Sequence, residues 1–90
     1  MTSEITDSFR HAYGKLPQEM RSRVKKSYRQ WLANPLHPGL HYKKIHATQP
    51  IWSVRVGLHY RVVGVVHEDK MLWYFIGTHA EYDRLIKMLD

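Results

Sequence analysis

The sequence contains no cysteine, so it has neither a disulfide framework nor a thiolate that could bind a metal or attack a substrate. It also lacks a long hydrophobic run, because the longest, residues 71–76, is far short of the roughly 20 apolar residues that a membrane span needs. The opening stretch MTSEITDSFR has no hydrophobic signal-peptide core. These absences predict a protein of the reducing cytoplasm that contacts no membrane.

Several motifs of known chemistry are missing as well. No glycine-rich loop is present to hold a phosphate, and no serine or carboxylate stands in a nucleophile motif, which excludes the motif-based classes of nucleotide hydrolysis and acyl transfer. Seven histidines are present, but neither His37 with His41 nor His41 with His46 has a known metal-ligand spacing. We therefore expect no metal and no cofactor.

What the chain does have is positive charge. Its 90 residues, 43% of them hydrophobic, suffice for one domain over residues 1–90 with a modest core. The net charge is +6, and residues 1–50 hold nine basic and three acidic side chains whereas residues 51–90 hold five of each. Such an excess favours an anionic partner such as nucleic acid, the ribosome or an acidic protein. A merely solubilising surface is the alternative.

The first half has the apolar spacing of two helices. Ser3 is a predicted N-cap for the first helix, which Gly14 ends, and Pro17 suits the first turn of the second. Asn34-Pro35 ends the second helix, because a residue before proline is pushed out of the helical region. The apolar stripes that support this interpretation are Ile5, Phe9, Ala12 and Leu16, then Met20, Val24, Tyr28 and Trp31.

The second half has the pattern of a sheet. The predicted strands are residues 40–46, 51–56, 60–67 and 71–78, the last one apolar on both faces like a central strand. Short turns between them indicate an antiparallel meander, and Ala80–Leu89 predicts a terminal helix. The predicted fold class is α+β, a helical hairpin packed on a small antiparallel sheet with a short C-terminal helix.

The strongest chemical pattern lies at the predicted strand ends. Arg55 and Arg61 flank a tight turn that contains His59, while His79 and Tyr82 follow the last strand, and a meander brings these stretches together. Cleavage of RNA through its own 2′-hydroxyl needs groups that move protons and cations that stabilise charge on phosphorus. Histidine, tyrosine and arginine suit these tasks without a metal. The predicted catalytic residues are therefore Arg55, Arg61, His79 and Tyr82.

Each of these four residues also has a structural alternative. Arg55 would be a solvated strand residue opposite an acidic side chain, and Arg61 would be a core-edge arginine with a carboxylate partner. His79 would cap the terminal helix, and Tyr82 would anchor that helix on the sheet.

A second group of residues has the composition of an RNA-binding surface. Lys43-Lys44 follow Tyr42, and a basic pair beside an aromatic is a mixture that binds phosphate and stacks on bases. The basic side chains of the second predicted helix add attraction without base specificity. The predicted RNA-binding residues are Lys43, Lys44, His59, Arg21, Arg23 and Lys25.

Two runs, IWSVRVGLHYRV at 51–62 and WYFIGTHAEY at 73–82, resemble the RelE/ParE toxin superfamily, as does the order of elements over nearly the whole chain. The resemblance implies a toxin of a bacterial, cytoplasmic type II toxin–antitoxin pair with a cognate antitoxin as partner. Its target would be either mRNA at the ribosomal A site, which it would cut as an endonuclease, or DNA gyrase, which it would inhibit. A non-catalytic nucleic-acid-binding domain of the same fold is a third possibility.

The resemblance also assigns residues. It implies that Arg55, Arg61, His79 and Tyr82 form the site of the ribosome-dependent nucleases. The chain departs from that pattern in three places: Ser53 stands where some of these nucleases carry a catalytic lysine, His79 replaces an arginine, and the usual strand before the first helix is missing or reduced to residues 1–6.

Overall fold

The computed structural model describes residues 1–89. Within them three helices and a five-stranded sheet follow one another along the chain. Their bounds are β1 (Thr2–Ile5), α1 (Asp7–Gly14), α2 (Gln18–Ala33), β2 (Lys43–Lys44), β3 (Ile51–Val56), β4 (Tyr60–His67), β5 (Lys70–Thr78) and α3 (His79–Met88), with a 3-10 turn at Pro38–Leu40 before β2. The strand order in the sheet is β1-β5-β4-β3-β2.

This arrangement confirms the predicted α+β class. Strands β2 to β5 form the antiparallel meander, and β5 lies between β1 and β4 as an inner strand. In the described part of the chain, no helix combines the length and the apolar character needed to cross a bilayer.

The start of the chain is where the prediction was wrong. Thr2–Ile5 is a strand that pairs in parallel with β5, so of the two expectations for the strand before the first helix, the reduced strand within residues 1–6 holds. Thr6, and not Ser3, caps α1, and its hydroxyl oxygen accepts a hydrogen bond from the backbone N–H of Phe9 at 3.1 Å. Ile5 and Phe9 have helical spacing in the sequence, but a long-range strand pairing overrides that local signal.

The helical hairpin α1 and α2 packs on one face of the sheet and forms the first core. Helix α2 follows Pro17 and ends before the extended residue Asn34, as predicted. Val24 and Trp31 are its buried residues, and the apolar stripe therefore faces inward. The buried members of this core are Phe9, Val24, Trp31, Leu40, Val54, Val56, Val62, Met71, Trp73 and Ile76.

Helix α3 covers the opposite face of the sheet and forms a second, smaller core. Its buried members are Ile51, Val63 and Tyr82, with Leu85 and Ile86 packed against them. The helix begins with a capping box in which Thr78 and Glu81 exchange hydrogen bonds, so Thr78 rather than His79 caps it. The backbone N–H and then the hydroxyl of Thr78 bind the carboxylate and lower the pKa of Glu81 below its ordinary value.

Strand β2 is shorter than residues 40–46, the range predicted for it. Leu40 is buried at the end of the 3-10 turn, and His41 has a left-handed backbone with φ of 46°. Because an extended strand cannot pass through a left-handed residue, pairing starts only at Lys43. Strand β2 nevertheless forms one edge of the sheet, as expected.

Candidate functional site

Arg55 and Arg61 are directly opposite each other on β3 and β4. The reversal between the strands begins at Gly57, whose φ of 61° is a conformation that glycine adopts without strain. Opposite residues of an antiparallel pair point to the same face, which here is the face that α3 covers. The two arginines predicted from the sequence are therefore cross-strand neighbours, and both side chains leave the sheet on the same face.

Arg61 points along the end of α3. Its Nη1 donates to the carbonyl of Tyr60 at 3.0 Å, and its Cζ lies 5.8 Å from the centre of the Tyr82 ring. A guanidinium at this distance is attracted by the ring face. Within residues 1–89 Arg61 forms no ion pair, so the alternative that gave it a carboxylate partner does not hold for the described chain.

Arg55 turns the other way, toward α2. Its Nε donates to the carbonyl of Gly57 at 2.9 Å, and its Nη1 lies 3.3 Å from Nε2 of His41. No acidic residue among positions 1–89 pairs with it, contrary to the alternative of a strand residue opposite an acidic group. Backbone and histidine thus orient this guanidinium and leave its charge unneutralised.

Tyr82 lies in the second core. It is 5% exposed, and its hydroxyl donates to the hydroxyl of Ser53, which is 1% exposed, at 3.4 Å. The residue therefore anchors α3 on the sheet, as its structural alternative proposed, while one side of its ring supports Arg61. Its catalytic role stays a prediction. Ser53, at the position of the missing lysine, serves as the buried partner of this tyrosine.

His79 is the first residue of α3 and lies at the surface. Its Nδ1 lies 3.1 Å from Oδ2 of Asp83 one helical turn later, and its backbone N–H donates to the carbonyl of His59 at 2.7 Å. The carboxylate orients the imidazole through Nδ1, which leaves Nε2 as the free nitrogen. The backbones of His59, just before β4, and His79, just after β5, are therefore in contact.

The two lysines of β2 diverge. Lys43 is opposite Ser53, and Lys44 is opposite Trp52, so their side chains start on opposite faces of the sheet. Only Lys43 shares the face of Arg55 and Arg61. The aromatic that precedes them, Tyr42, stacks on Trp52 at 4.6 Å and is half-buried, and burial raises its pKa.

The basic residues predicted on α2 do not gather into one cluster. Arg21 is half-buried, and its Nη1 donates to the carbonyl of Leu16 at 2.6 Å, which joins the start of α2 to the preceding turn. Arg23 approaches Glu19 at 3.5 Å on the exposed helix surface, and Lys25 is exposed. Of these three residues, Arg21 has a structural role through its hydrogen bond to the carbonyl of Leu16.

The described histidines do not form a metal centre. No group of three or more His, Asp or Glu side chains in residues 1–89 is arranged to hold a metal ion. His37 and His46 instead accept backbone hydrogen bonds through Nδ1, from Gly39 and from Thr48 and Gln49 respectively.

The contacts of three residues in this region were not predicted from the sequence. Asp83 is visible in hindsight as an acidic residue four positions after His79 on a predicted helix. Ser53 and His41 gave no local signal, because their contacts with Tyr82 and Arg55 span 29 and 14 positions.

Comparison with known proteins bears on this arrangement. A family model described as "ParE-like toxin domain" matches residues 18–84, which include β3 to β5 and the start of α3. No curated protein sequence matches the chain.

Solved structures with the same fold are similar to this chain at low sequence identity. The toxin in the RelB–RelE antitoxin–toxin complex of Methanococcus jannaschii is 23% identical, with a TM-score of 0.70 over 89% of this chain and 95% of that one. A YoeB/ParE toxin from Agrobacterium tumefaciens is 16% identical, with a TM-score of 0.70 over 88% of this chain and 99% of that one. The isolated RelE toxin of E. coli is 15% identical, with a TM-score of 0.67 over 98% of both chains. At these identities the likeness establishes the fold.

Proposed function

The chain belongs to the ParE-like toxin domain family of the RelE/ParE superfamily, and from this we propose that it is the toxin of a type II toxin–antitoxin pair that cuts mRNA on the ribosome without a metal. The observation that carries the proposal is Arg61, an arginine with no ion pair in residues 1–89, on the strand that begins next to His59, whose backbone carbonyl accepts a hydrogen bond from the backbone N–H of His79. Phosphodiester cleavage needs a cation that stabilises charge on phosphorus, which an unneutralised guanidinium supplies, and groups that move protons, which imidazoles supply.

The proposed reaction uses the RNA's own 2′-hydroxyl. The 2′-oxygen attacks the adjacent phosphorus, the bond to the 5′-oxygen breaks, and the products are a 2′,3′-cyclic phosphate and a 5′-hydroxyl. His79 takes the proton of the 2′-hydroxyl through Nε2, and Asp83 stabilises the imidazolium that forms. His59 gives a proton to the leaving 5′-oxygen. Arg61 binds the phosphate oxygens as their charge grows.

The remaining predicted residues have supporting roles in this proposal. Tyr82 acts through Arg61, whose guanidinium it holds against its ring. Lys43 attracts the RNA backbone on the face of Arg61, Arg55 attracts it from the side of α2, and Lys44, Arg21, Arg23 and Lys25 add long-range attraction for ribosomal or messenger RNA. No cofactor is required by this chemistry, and the cytoplasm is the compartment where its substrate is found.

A gyrase inhibitor is the second candidate function, because the matching family model is named after ParE. The two functions are separated by expressing the chain briefly in bacteria and mapping mRNA 5′ ends across the genome. An Arg61→Ala/His79→Ala double variant is the comparison, and circular dichroism checks its fold. Codon-phased cuts that need both residues support the nuclease. Growth arrest without cuts, together with loss of gyrase supercoiling, supports the inhibitor, and no arrest supports a non-catalytic nucleic-acid-binding domain.

We also propose a cognate antitoxin as partner. The M. jannaschii and Pyrococcus horikoshii structures of this fold are RelB–RelE complexes. An acidic segment that folds on binding would complement a chain with a net charge of +6. Co-expression with the product of the adjacent open reading frame tests this: relief of growth arrest and a stable complex are expected, and arrest that persists with no complex contradicts it.

A further inference from the structure

A cleft of about 260 Å³ lies between α2, the Pro38–Leu40 turn and the end of β3. Three cationic side chains line it: Arg23 and Lys26 from the helix, and Arg55 from the strand. The hydroxyl of Ser27 and the amide of Gln30 add hydrogen-bonding groups. No acidic side chain of residues 1–89 lines the cleft.

Two guanidinium groups of this cleft each approach the same residue, Gly57. Nε of Arg55 donates to the carbonyl of Gly57 at 2.9 Å. Nη1 of Arg23 lies 3.3 Å from the position that a Cβ atom on Gly57 would occupy. Both cations therefore lie near the same glycine, where an anion would be attracted by each of them.

The acidic groups nearby do not neutralise the cleft. Glu19 approaches Arg23 at 3.5 Å through the other terminal nitrogen, Nη2, and its side chain is 83% exposed. An exposed pair at this distance is weak. The hydrogen bonds of Arg55 within residues 1–89 go to the carbonyl oxygen of Gly57 and to the imidazole of His41. The positive charge of the three cationic side chains in the cleft is thus only weakly compensated by the acidic side chains of residues 1–89.

We propose that this cleft binds a phosphodiester of the RNA, separate from the one that is cut. The inference rests on the proposed function, which makes RNA the substrate. Arg55 links the cleft to the proposed cleavage site. Its backbone is opposite Arg61, whereas its guanidinium lines the cleft, so the pair of strands β3 and β4 joins the two sites. Two arginine forks, an ammonium, a hydroxyl and an amide suit a phosphate with its ribose better than a lone carboxylate.

The test measures binding of RNA that cannot be cut. A fluorescent 2′-O-methyl RNA hexamer is titrated with the native chain, with Lys26→Gln and with Arg23→Gln over a series of salt concentrations. Lys15→Gln is the control, since it makes the same change of charge at an exposed position that does not line the cleft. Each cleft variant is expected to weaken binding and to reduce the slope of log K against log salt by about 0.7, the value for one phosphate of a single strand that the protein no longer neutralises.

A second readout locates the bound RNA. Addition of the hexamer is expected to shift the amide resonances of Gly39 and Gly57 in the native chain, and this shift is expected to be lost in Lys26→Gln. Cleft variants that bind like Lys15→Gln overturn the inference, as does a native chain that binds no hexamer at low salt. If Lys26→Gln weakens the complex with the antitoxin while RNA binding is unchanged, the cleft holds an acidic protein side chain and the inference is again wrong.

The design separates this inference from the proposed nuclease. A chain that binds the hexamer through the cleft but never cuts mRNA contradicts the nuclease alone. A chain that cuts mRNA equally well with and without Lys26 and Arg23, and binds RNA equally well, contradicts the cleft alone.

Discussion

The hydroxyl of Tyr82 donates a hydrogen bond to the hydroxyl of Ser53, 3.4 Å away across the second core. Both side chains are buried, and the two residues lie on different elements, α3 and β3. The same tyrosine ring lies 5.8 Å from the guanidinium carbon of Arg61. One residue therefore joins the helix to the sheet and positions the arginine that we place at the reacting phosphate.

Tyr82→Phe separates these two contributions. Loss of the hydroxyl leaves Ser53 without its partner and is expected to lower the free energy of unfolding by about 1 kcal/mol. The ring contact with Arg61 is retained, so mRNA cleavage is expected to persist. Tyr82→Ala is expected to cost about 3–5 kcal/mol through the cavity it leaves. Urea unfolding and a cleavage assay check both variants. A Tyr82→Phe chain that folds normally but no longer cuts would show that the hydroxyl takes part in the chemistry.

We expect mRNA cleavage to require the guanidinium of Arg61, and not merely a positive charge at its position. A guanidinium offers paired donors to two phosphate oxygens, whereas an ammonium offers a point charge. We expect Arg61→Ala to reduce the cleavage rate about 10²–10³-fold, the usual effect of removing one preorganised donor to developing charge. Arg61→Lys should recover part of that loss. Single-turnover kinetics test the series, and an alanine variant that cuts at the native rate contradicts the role.

The capping box of α3 predicts a pH dependence of stability. Hydrogen bonds from Thr78 lower the pKa of Glu81 below its ordinary value of 4.5. The unfolded chain then binds this proton more readily than the folded chain, so the stabilisation is present above pH 4.5 and is lost as the pH falls through the lower folded pKa. Glu81→Gln removes the titrating group. Urea midpoints of the native and variant chains should differ more at pH 7 than at about pH 3. An equal difference at both pH values would contradict this explanation.

Gly64 is expected to tolerate no side chain. A Cβ atom there would lie 2.6 Å from the ring of Trp73 and 2.7 Å from the sulfur of Met71, at the register shift between β4 and β5. Overpacking of this kind costs about 1–3 kcal/mol, so Gly64→Ala should lower the thermal midpoint by several degrees. Gly14→Ala is the control, because no atom lies within 4 Å of its Cβ position and helical alanine is favoured. Equal effects of the two substitutions would contradict the packing argument.

Most of the fold follows from local pattern in the sequence. The stripe through Val24 and Trp31 predicts α2, and the alternation in Ile51–Val56 predicts β3, which the structure buries on both faces. Strand β1 did not follow, because Thr2–Ile5 is defined by pairing with Lys70–Trp73 far along the chain. The true length of β2 did not follow either, since the left-handed backbone of His41 has no sequence signature.

The backbone positions of the candidate site residues could be predicted from the sequence. A tight turn at Gly57 places Arg55 opposite Arg61, and a meander brings His79 beside His59. The directions of the side chains were not predictable, because they depend on contacts between distant residues. Arg55 turns toward His41 and α2, and Tyr82 turns inward to Ser53.

The most direct test of the central claim uses purified ribosomes programmed with a defined mRNA and incubated with the purified chain. Primer extension locates the cuts, and the chemistry of the new ends is determined. We predict cuts that require the ribosome, that leave a 2′,3′-cyclic phosphate, and that disappear when the nucleotide 5′ of the cut is 2′-deoxy or when His79 is replaced by alanine. An mRNA that stays intact under these conditions while the native chain still arrests growth would contradict the account.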